Sequence, residues 1–179
     1  MHRLFVAIRL PLPVADLLLD TMEGFAALRW PDVEQLHLTL RFVGEVERPA
    51  AEDLAAALGT VRAAPFALSV TGVGRFDHHR RGTLWAGVEP RAPVAALAAK
   101  VERACLAVGL APDHRAYHPH ITLARWGSDA GREPDLFVDR HATLRSEPFE
   151  VEAFTLFESH LGRGGALHEA IADYRLRAT

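Results

Sequence analysis

The sequence predicts an α+β protein, and three observations carry that prediction. Short apolar runs with strand-like alternation sit between stretches whose apolar residues recur every three or four positions. Proline and glycine fall at the ends of these stretches, where elements begin and stop. The order of elements in the first half of the chain is then repeated in the second. With 179 residues, 49% of them apolar and 24% charged, the chain has enough material for one domain with a sizeable core. The expected architecture is a single domain of two pseudo-symmetric lobes, repeats of about 3–78 and 83–158. Two antiparallel-rich sheets would flank a central cleft, with helices on their outer faces.

Leu4-Phe5-Val6-Ala7-Ile8 is an apolar run closed by Pro11 and Pro13, and it reads as a buried strand. Pro13 suits a first helical turn, and Val14, Leu17, Leu18, Met22, Phe25 and Leu28 predict a helix continuing to Trp30. A strand follows from about Leu36 to Val43 and stops at Gly44. Pro49 opens a second helix, whose stripe of Leu54, Leu58 and Val61 ends before Pro65. Phe66 to Phe76 is a strand in which Gly72 and Gly74 mark a bulge or a close approach, and a basic loop, His78-His79-Arg80-Arg81-Gly82, follows. The order then restarts. Leu84 to Val88 is a strand, and Pro93 opens a helix through Leu97, Val101 and Leu106 that Gly109 ends. A strand at His120 comes next, then a loop rich in glycine and charge from about Gly127 to Arg140. Phe149 to Phe157 alternates as one strand, and a turn at 162–165 leads to a last strand near Leu167 to Tyr174.

The functional signal is His37-Leu38-Thr39-Leu40, which returns 83 residues later as His120-Ile121-Thr122-Leu123. Strand side chains alternate, so His37 and Thr39 share one face while Leu36, Leu38, Leu40 and Phe42 share the other. With 10 His and 9 Thr in the chain, one such apolar-spaced pair is expected about 0.1 times by chance. The spacing to the next strand also agrees, 29 residues from His37 to Phe66 and 29 from His120 to Phe149. A pseudo-two-fold axis would set the two histidines facing each other across a cleft. Two imidazoles that titrate near neutrality can serve as base and acid at one pH, and each threonine adds a hydroxyl that can hold a phosphoryl oxygen. In-line displacement at a phosphodiester needs a base at the attacking oxygen and an acid at the leaving one.

Other groups carry less. A single strand histidine is more often structural, but two in matching places of a repeat reverse that reading. His118 and His120 with His37 could form a three-histidine zinc site, although the repeat offers no partner for His118 and no carboxylate accompanies either motif. Cys105 lies in an alanine-rich helical pattern, where packing is its expected role. His78 to Arg81 could touch a nucleic-acid backbone, with a solvated loop as the default. Gly72-x-Gly74 lacks the third glycine and following helix of a phosphate loop. The net charge of −3 argues against bulk electrostatic binding of nucleic acid, while leaving a nucleic-acid end or a nucleotide as a ligand. No apolar run reaches the roughly 20 residues of a membrane span, and the N-terminus lacks the shape of a signal peptide, so a cytoplasmic protein, a monomer, is expected.

At these residues the chain resembles a known family. The paired His-x-Thr motifs, the opening Arg3-Leu4-Phe5-Val6-Ala7-Ile8, the run from His37 to Glu45, and Pro119-His120-Ile121-Thr122-Leu123-Ala124-Arg125 are similar to the two-histidine phosphoesterases, above all the RNA 2′,3′-cyclic phosphodiesterases also called 2′-5′ RNA ligases. The resemblance implies a bilobal duplicated fold and cofactor-free, metal-free hydrolysis of a 2′,3′-cyclic phosphate on RNA ends or nucleotides to a 2′-phosphate. A reversible ligation activity is implied as well. It further implies that His37 and His120 are the catalytic pair, with His120 activating water and His37 protonating the leaving oxygen. Thr39 and Thr122 would bind the phosphate, and Arg125 would contact phosphate or nucleotide. Phe5 is added as a candidate for stacking on a base, beside a core role.

Overall fold

The computed structural model describes residues 1–163 and 165–178. Along the chain the elements are β1 (His2–Arg9), α1 (Leu12–Leu19), β2 (Leu28–Arg29), a 3-10 turn (Val33–Gln35), β3 (His37–Val46), α2 (Arg48–Leu58), β4 (Phe66–His78) and β5 (Arg81–Glu89). They continue with α3 (Arg91–Ala107), β6 (His120–Trp126), α4 (Glu133–His141), β7 (Phe149–Val151), β8 (Ala153–Gly162) and β9 (Gly165–Arg175). The class is α+β. Among the described residues the strands pair throughout as antiparallel neighbours in the order β7-β4-β5-β6-β3-β1-β8-β9, with β2 beside β6. The two sheets read from the sequence are therefore halves of one strand order, and they meet where β3 and β6 pair through a single position, Leu38 opposite Ile121.

Alternation explains what holds this centre. Leu38, Ile121 and Leu123 are fully buried, and a side chain of that size is worth roughly 1.5–3 kcal/mol when taken out of water. Helix α3 packs on β3 with Val94, Leu97, Val101 and Cys105 inward, and α2 rests on α3 and β1 through Leu54 and Leu58. Cys105 is fully buried, and burial pushes its thiol up to about 11, which fits packing and not nucleophilic chemistry.

Two expected ends shift, β3 running past Gly44 to Val46 and α2 ending at Leu58 before Val61, and four elements differ more from the sequence reading. The first helix ends at Leu19 instead of running to Trp30: past Asp20 the chain tightens into i→i+3 turns, with Thr21 N–H on the Leu18 carbonyl and Met22 N–H on the Leu19 carbonyl, and Gly24 then takes a left-handed backbone (φ +83°) from which no helix resumes. Phe25 and Leu28 kept their helical spacing only because both are buried in the core, from an extended segment whose Leu28–Arg29 pairs with β6. The expected loop from Gly127 to Arg140 contains α4. Its apolar stripe is too narrow to announce a helix, with Phe137 as its one large buried anchor, yet Glu133 and Asp135 in the first turn and Arg140 and His141 in the last suit the helix dipole. Phe149 to Phe157 is two strands, broken at Glu152, of which β7 pairs with β4 and β8 with β1. The last strand starts earlier, at Gly165, and of the turn assigned to 162–165, Gly164 lies outside the described residues.

The basic run at 78–81 is a tight hairpin turn, His78 pairing with Arg81 and His79 at φ +56°. Gly72 sits at a bulge between Val70 and Val73, and a Cβ on Gly74 would overlap the Trp85 indole, so this glycine serves a close approach. No helix is long and apolar enough to cross a membrane among the described residues.

Candidate active site

The Leu38–Ile121 pair brings both His-x-Thr motifs to one place. On each strand the residues before and after the central pair point the other way, so His37, Thr39, His120 and Thr122 stand part-buried on the cleft side. Each motif is followed by a bulge at the same position. Thr39 faces Ala7 and Arg41 faces Val6, leaving Leu40 over; Thr122 faces Trp85 and Ala124 faces Leu84, leaving Leu123 over. A bulge reverses the alternation beyond it. Phe42, expected among the buried leucines, is consequently 52% exposed and lines the cleft. Arg125, at the matching position five residues after its histidine, reaches the cleft for the same reason.

The two imidazoles are anchored identically. His37 Nδ1–H donates to the Gln35 carbonyl at 2.7 Å, and His120 Nδ1–H donates to the His118 carbonyl at 2.7 Å. A carbonyl only accepts, so each Nδ1 carries the proton and each Nε2 is left for chemistry. The rings pack differently. His37 lies 4.8 Å from Phe5 and meets the edge of His168 at 5.5 Å, ring centre to ring centre. His120 meets Phe76 edge-on at 5.0 Å and His118 at 6.0 Å. Burial pushes the His37 imidazole down to about 4, helped by the neighbouring His168 and His120 and opposed by its carbonyl bond. His120 is also lowered, chiefly by burial and then by His118. Both rings are therefore neutral near pH 7.

A cavity opens beside each histidine. One of about 640 Å³ is lined by His37, Thr39, Thr122 and Arg125 together with Arg3, Arg29, Arg115 and His168, and by no carboxylate among the described residues. The other, about 400 Å³, is lined by His120, Thr39, Phe76 and Tyr117 and by the α3 alanines Ala95, Ala98 and Ala99. Thr39, Phe42 and Arg115 belong to both. Tyr117 braces the shared wall by donating its hydroxyl to the Thr39 carbonyl at 2.8 Å.

All six residues singled out from the sequence, His37, His120, Thr39, Thr122, Arg125 and Phe5, line one cavity or the other. Phe5 is 3% exposed and enclosed by His37, Phe157, Phe42 and His168, so its ring supports the histidine and offers no open face to a base. The three-histidine grouping does not form: among the described residues no three metal-ligating side chains converge. His78 to Arg81 line neither cavity. Sequence reasoning missed Arg3, Arg29 and His168. Arg3 could have been found, since it shares the strand face of Phe5 two residues on; Arg29 and His168 carry no local motif.

Comparison with known proteins agrees with this geometry. The family model described as the 2′-5′ RNA ligase superfamily matches residues 23–163. An RNA 2′,3′-cyclic phosphodiesterase of Thermus thermophilus is 33% identical over 98% of this chain and 90% of its own length. One from Geobacillus stearothermophilus is 32% identical over 88% of this chain, which spans only 50% of that protein. Solved structures of Escherichia coli LigT, in apo form and complexed with 3′-AMP, superpose with a TM-score of 0.81 at 27% identity, covering 98% of both chains. Two His-Thr strands crossing at one residue pair, and a family model that spans both of them, lead to one conclusion: the chain belongs to the 2′-5′ RNA ligase superfamily.

Proposed function

We propose that the protein hydrolyses 2′,3′-cyclic phosphates of RNA ends or nucleotides to 2′-phosphates by a metal-independent His/His acid–base mechanism. The observation that carries this reading is the matched pair of Nδ1–carbonyl anchors on His37 and His120, which leaves both Nε2 atoms for proton transfer on strands joined at the Leu38–Ile121 pair. His120 accepts a proton from water as the water oxygen bonds to phosphorus. The bond from phosphorus to O3′ breaks on the opposite side, and O3′ takes the proton of His37, leaving the phosphate on O2′. Burial holds His37 neutral at pH 7, so it must gain that proton as the substrate binds. The monoanionic phosphodiester supplies the opposing charge that raises an imidazole pKa. Thr39 and Thr122 hold phosphoryl oxygens by hydrogen bonding, and Arg125 offsets the charge.

The same reading includes an internal duplication. Its support is the mirrored pairing: β3 and β6 meet at equivalent residues, β1 flanks β3 as β5 flanks β6, and the bulges fall at equivalent leucines. A second activity, 2′-5′ ligation, is favoured by the cavity of about 400 Å³ beside His120, which has room for a 5′-hydroxyl nucleoside where hydrolysis needs only water.

The test is turnover of a 2′,3′-cyclic mononucleotide with identification of the product. A 2′-phosphate is expected. Binding without turnover would make the cleft a phosphate pocket and overturn the enzymatic reading.

A further inference from the structure

The larger cavity holds more positive charge than one cyclic phosphate requires. Arg3, Arg29, Arg115 and Arg125 line it with no carboxylate among the described residues, in a chain whose net charge is −3. Arg115 is paired with Asp113 at 2.8 Å. Arg3, Arg29 and Arg125 form no ion pair among the described residues, so nothing there neutralises their charge beside the cavity. Moreover, Arg29 lies directly opposite Arg125 in the β2–β6 ladder. Like charges in that position repel and destabilise the pairing unless an anion sits between or beside them.

The segment carrying Arg29 is nevertheless held in place. Ala27 N–H donates to the Glu133 carboxylate at 2.9 Å, and Phe25 and Trp30 each pack on Phe137 with ring centres 5.5 Å apart. Structure is thus spent on presenting a repulsive arginine pair to the cavity, next to Trp30, which also lines it. We propose that Arg29, acting with Arg125 and Arg3, forms a second phosphate subsite that binds the phosphate on O5′ of the nucleoside bearing the cyclic phosphate. This rests on the reading that His37 and His120 hold a cyclic phosphate, and it adds that the preferred substrate carries two phosphates on its terminal nucleoside. The O5′ phosphate is either the internucleotide link of an RNA strand or a free 5′-phosphate.

The experiment compares three substrates with one base: adenosine 2′,3′-cyclic phosphate, the same compound with a 5′-phosphate, and the ApA dinucleotide with a cyclic end. Wild type is expected to show kcat/KM at least about tenfold higher for the two with an O5′ phosphate, through KM and with a steeper salt dependence. In Arg29→Ala the preference falls toward one and the salt slope drops by about one. A preference for the dinucleotide over the 5′-phosphorylated compound identifies the RNA strand as the source; the reverse identifies a free nucleotide. Equal kcat/KM on all three in wild type, or an equal loss on all three in Arg29→Ala, overturns the subsite. If no substrate is turned over, the proposed function fails, and the subsite is then read from binding. A tenfold preference for adenosine 2′,5′-bisphosphate over adenosine 2′-phosphate, lost in Arg29→Ala, sustains it, and equal affinities overturn it.

Discussion

His37 and His120 are held by the same local device and sit in different surroundings. Each follows a carbonyl that fixes its Nδ1 proton, and each precedes a threonine and a bulge. Around His37, the eleven-residue β9 pairs along β8 and brings His168 against the ring. At the corresponding edge of β4 stands β7, only three residues long and paired at Phe66 to Leu68, far along the strand from Phe76 beside His120. His37 thus opens on an arginine-lined cavity and His120 on a mostly apolar one. On the proposed reading the matched pair supplies two proton carriers, and the elements around each ring decide which substrate atom it can meet.

The largest test of that comparison removes either ring. His37→Ala and His120→Ala should each lower turnover of a 2′,3′-cyclic nucleotide at least about a hundredfold while circular dichroism shows a folded protein. Near-normal turnover in either variant means that the two rings do not act as a pair. Next, a substrate with a better leaving group should rescue His37→Ala by at least about tenfold more than His120→Ala, because it needs the acid less. Equal rescue, or a 3′-phosphate product, would exchange or abolish the assigned roles.

Stability should also separate the two rings. The folded pKa of His37, about 4, lies below the unfolded value of 6.5, so the unfolded chain binds the proton more readily. The stability tied to a neutral His37 is fully present above pH 6.5 and is lost as pH falls to 4, about 3 kcal/mol over that window. In urea titrations from pH 7 to 4, His37→Phe should weaken this acid sensitivity more than His120→Phe; an unchanged slope in His37→Phe would show that burial does not govern the ring. A smaller effect is expected from His168→Phe, which keeps an aromatic edge but removes a charge that lowers His37. The acidic limb of the rate profile should move to higher pH with kcat kept within about tenfold, while the limbs remain properties of the coupled pair. An unmoved limb would leave His168 as packing alone. The smallest effect is none: activity should survive a chelator, and loss restored by zinc would point to metal chemistry at the histidines.

The two His-x-Thr strands, the leucines that bury beneath them, the inward faces of α2 at Leu54 and Leu58 and of α3 at Leu97 and Val101, and the packing role of Cys105 were legible in the residues alone, whereas Val61 lies beyond α2 and Leu106 is exposed. These follow from periodicity and spacing within one short segment, where the covalent chain alone fixes which side chains share a face. Long-range packing set the rest: Phe42 leaves the leucine face, Phe5 braces His37, α4 forms around Phe137, and Arg29 stands opposite Arg125. Each of these depends on a partner strand or helix distant in sequence, whose register and bulges are set by burial across the whole core. No periodicity within a single segment records which distant residue will lie beside it.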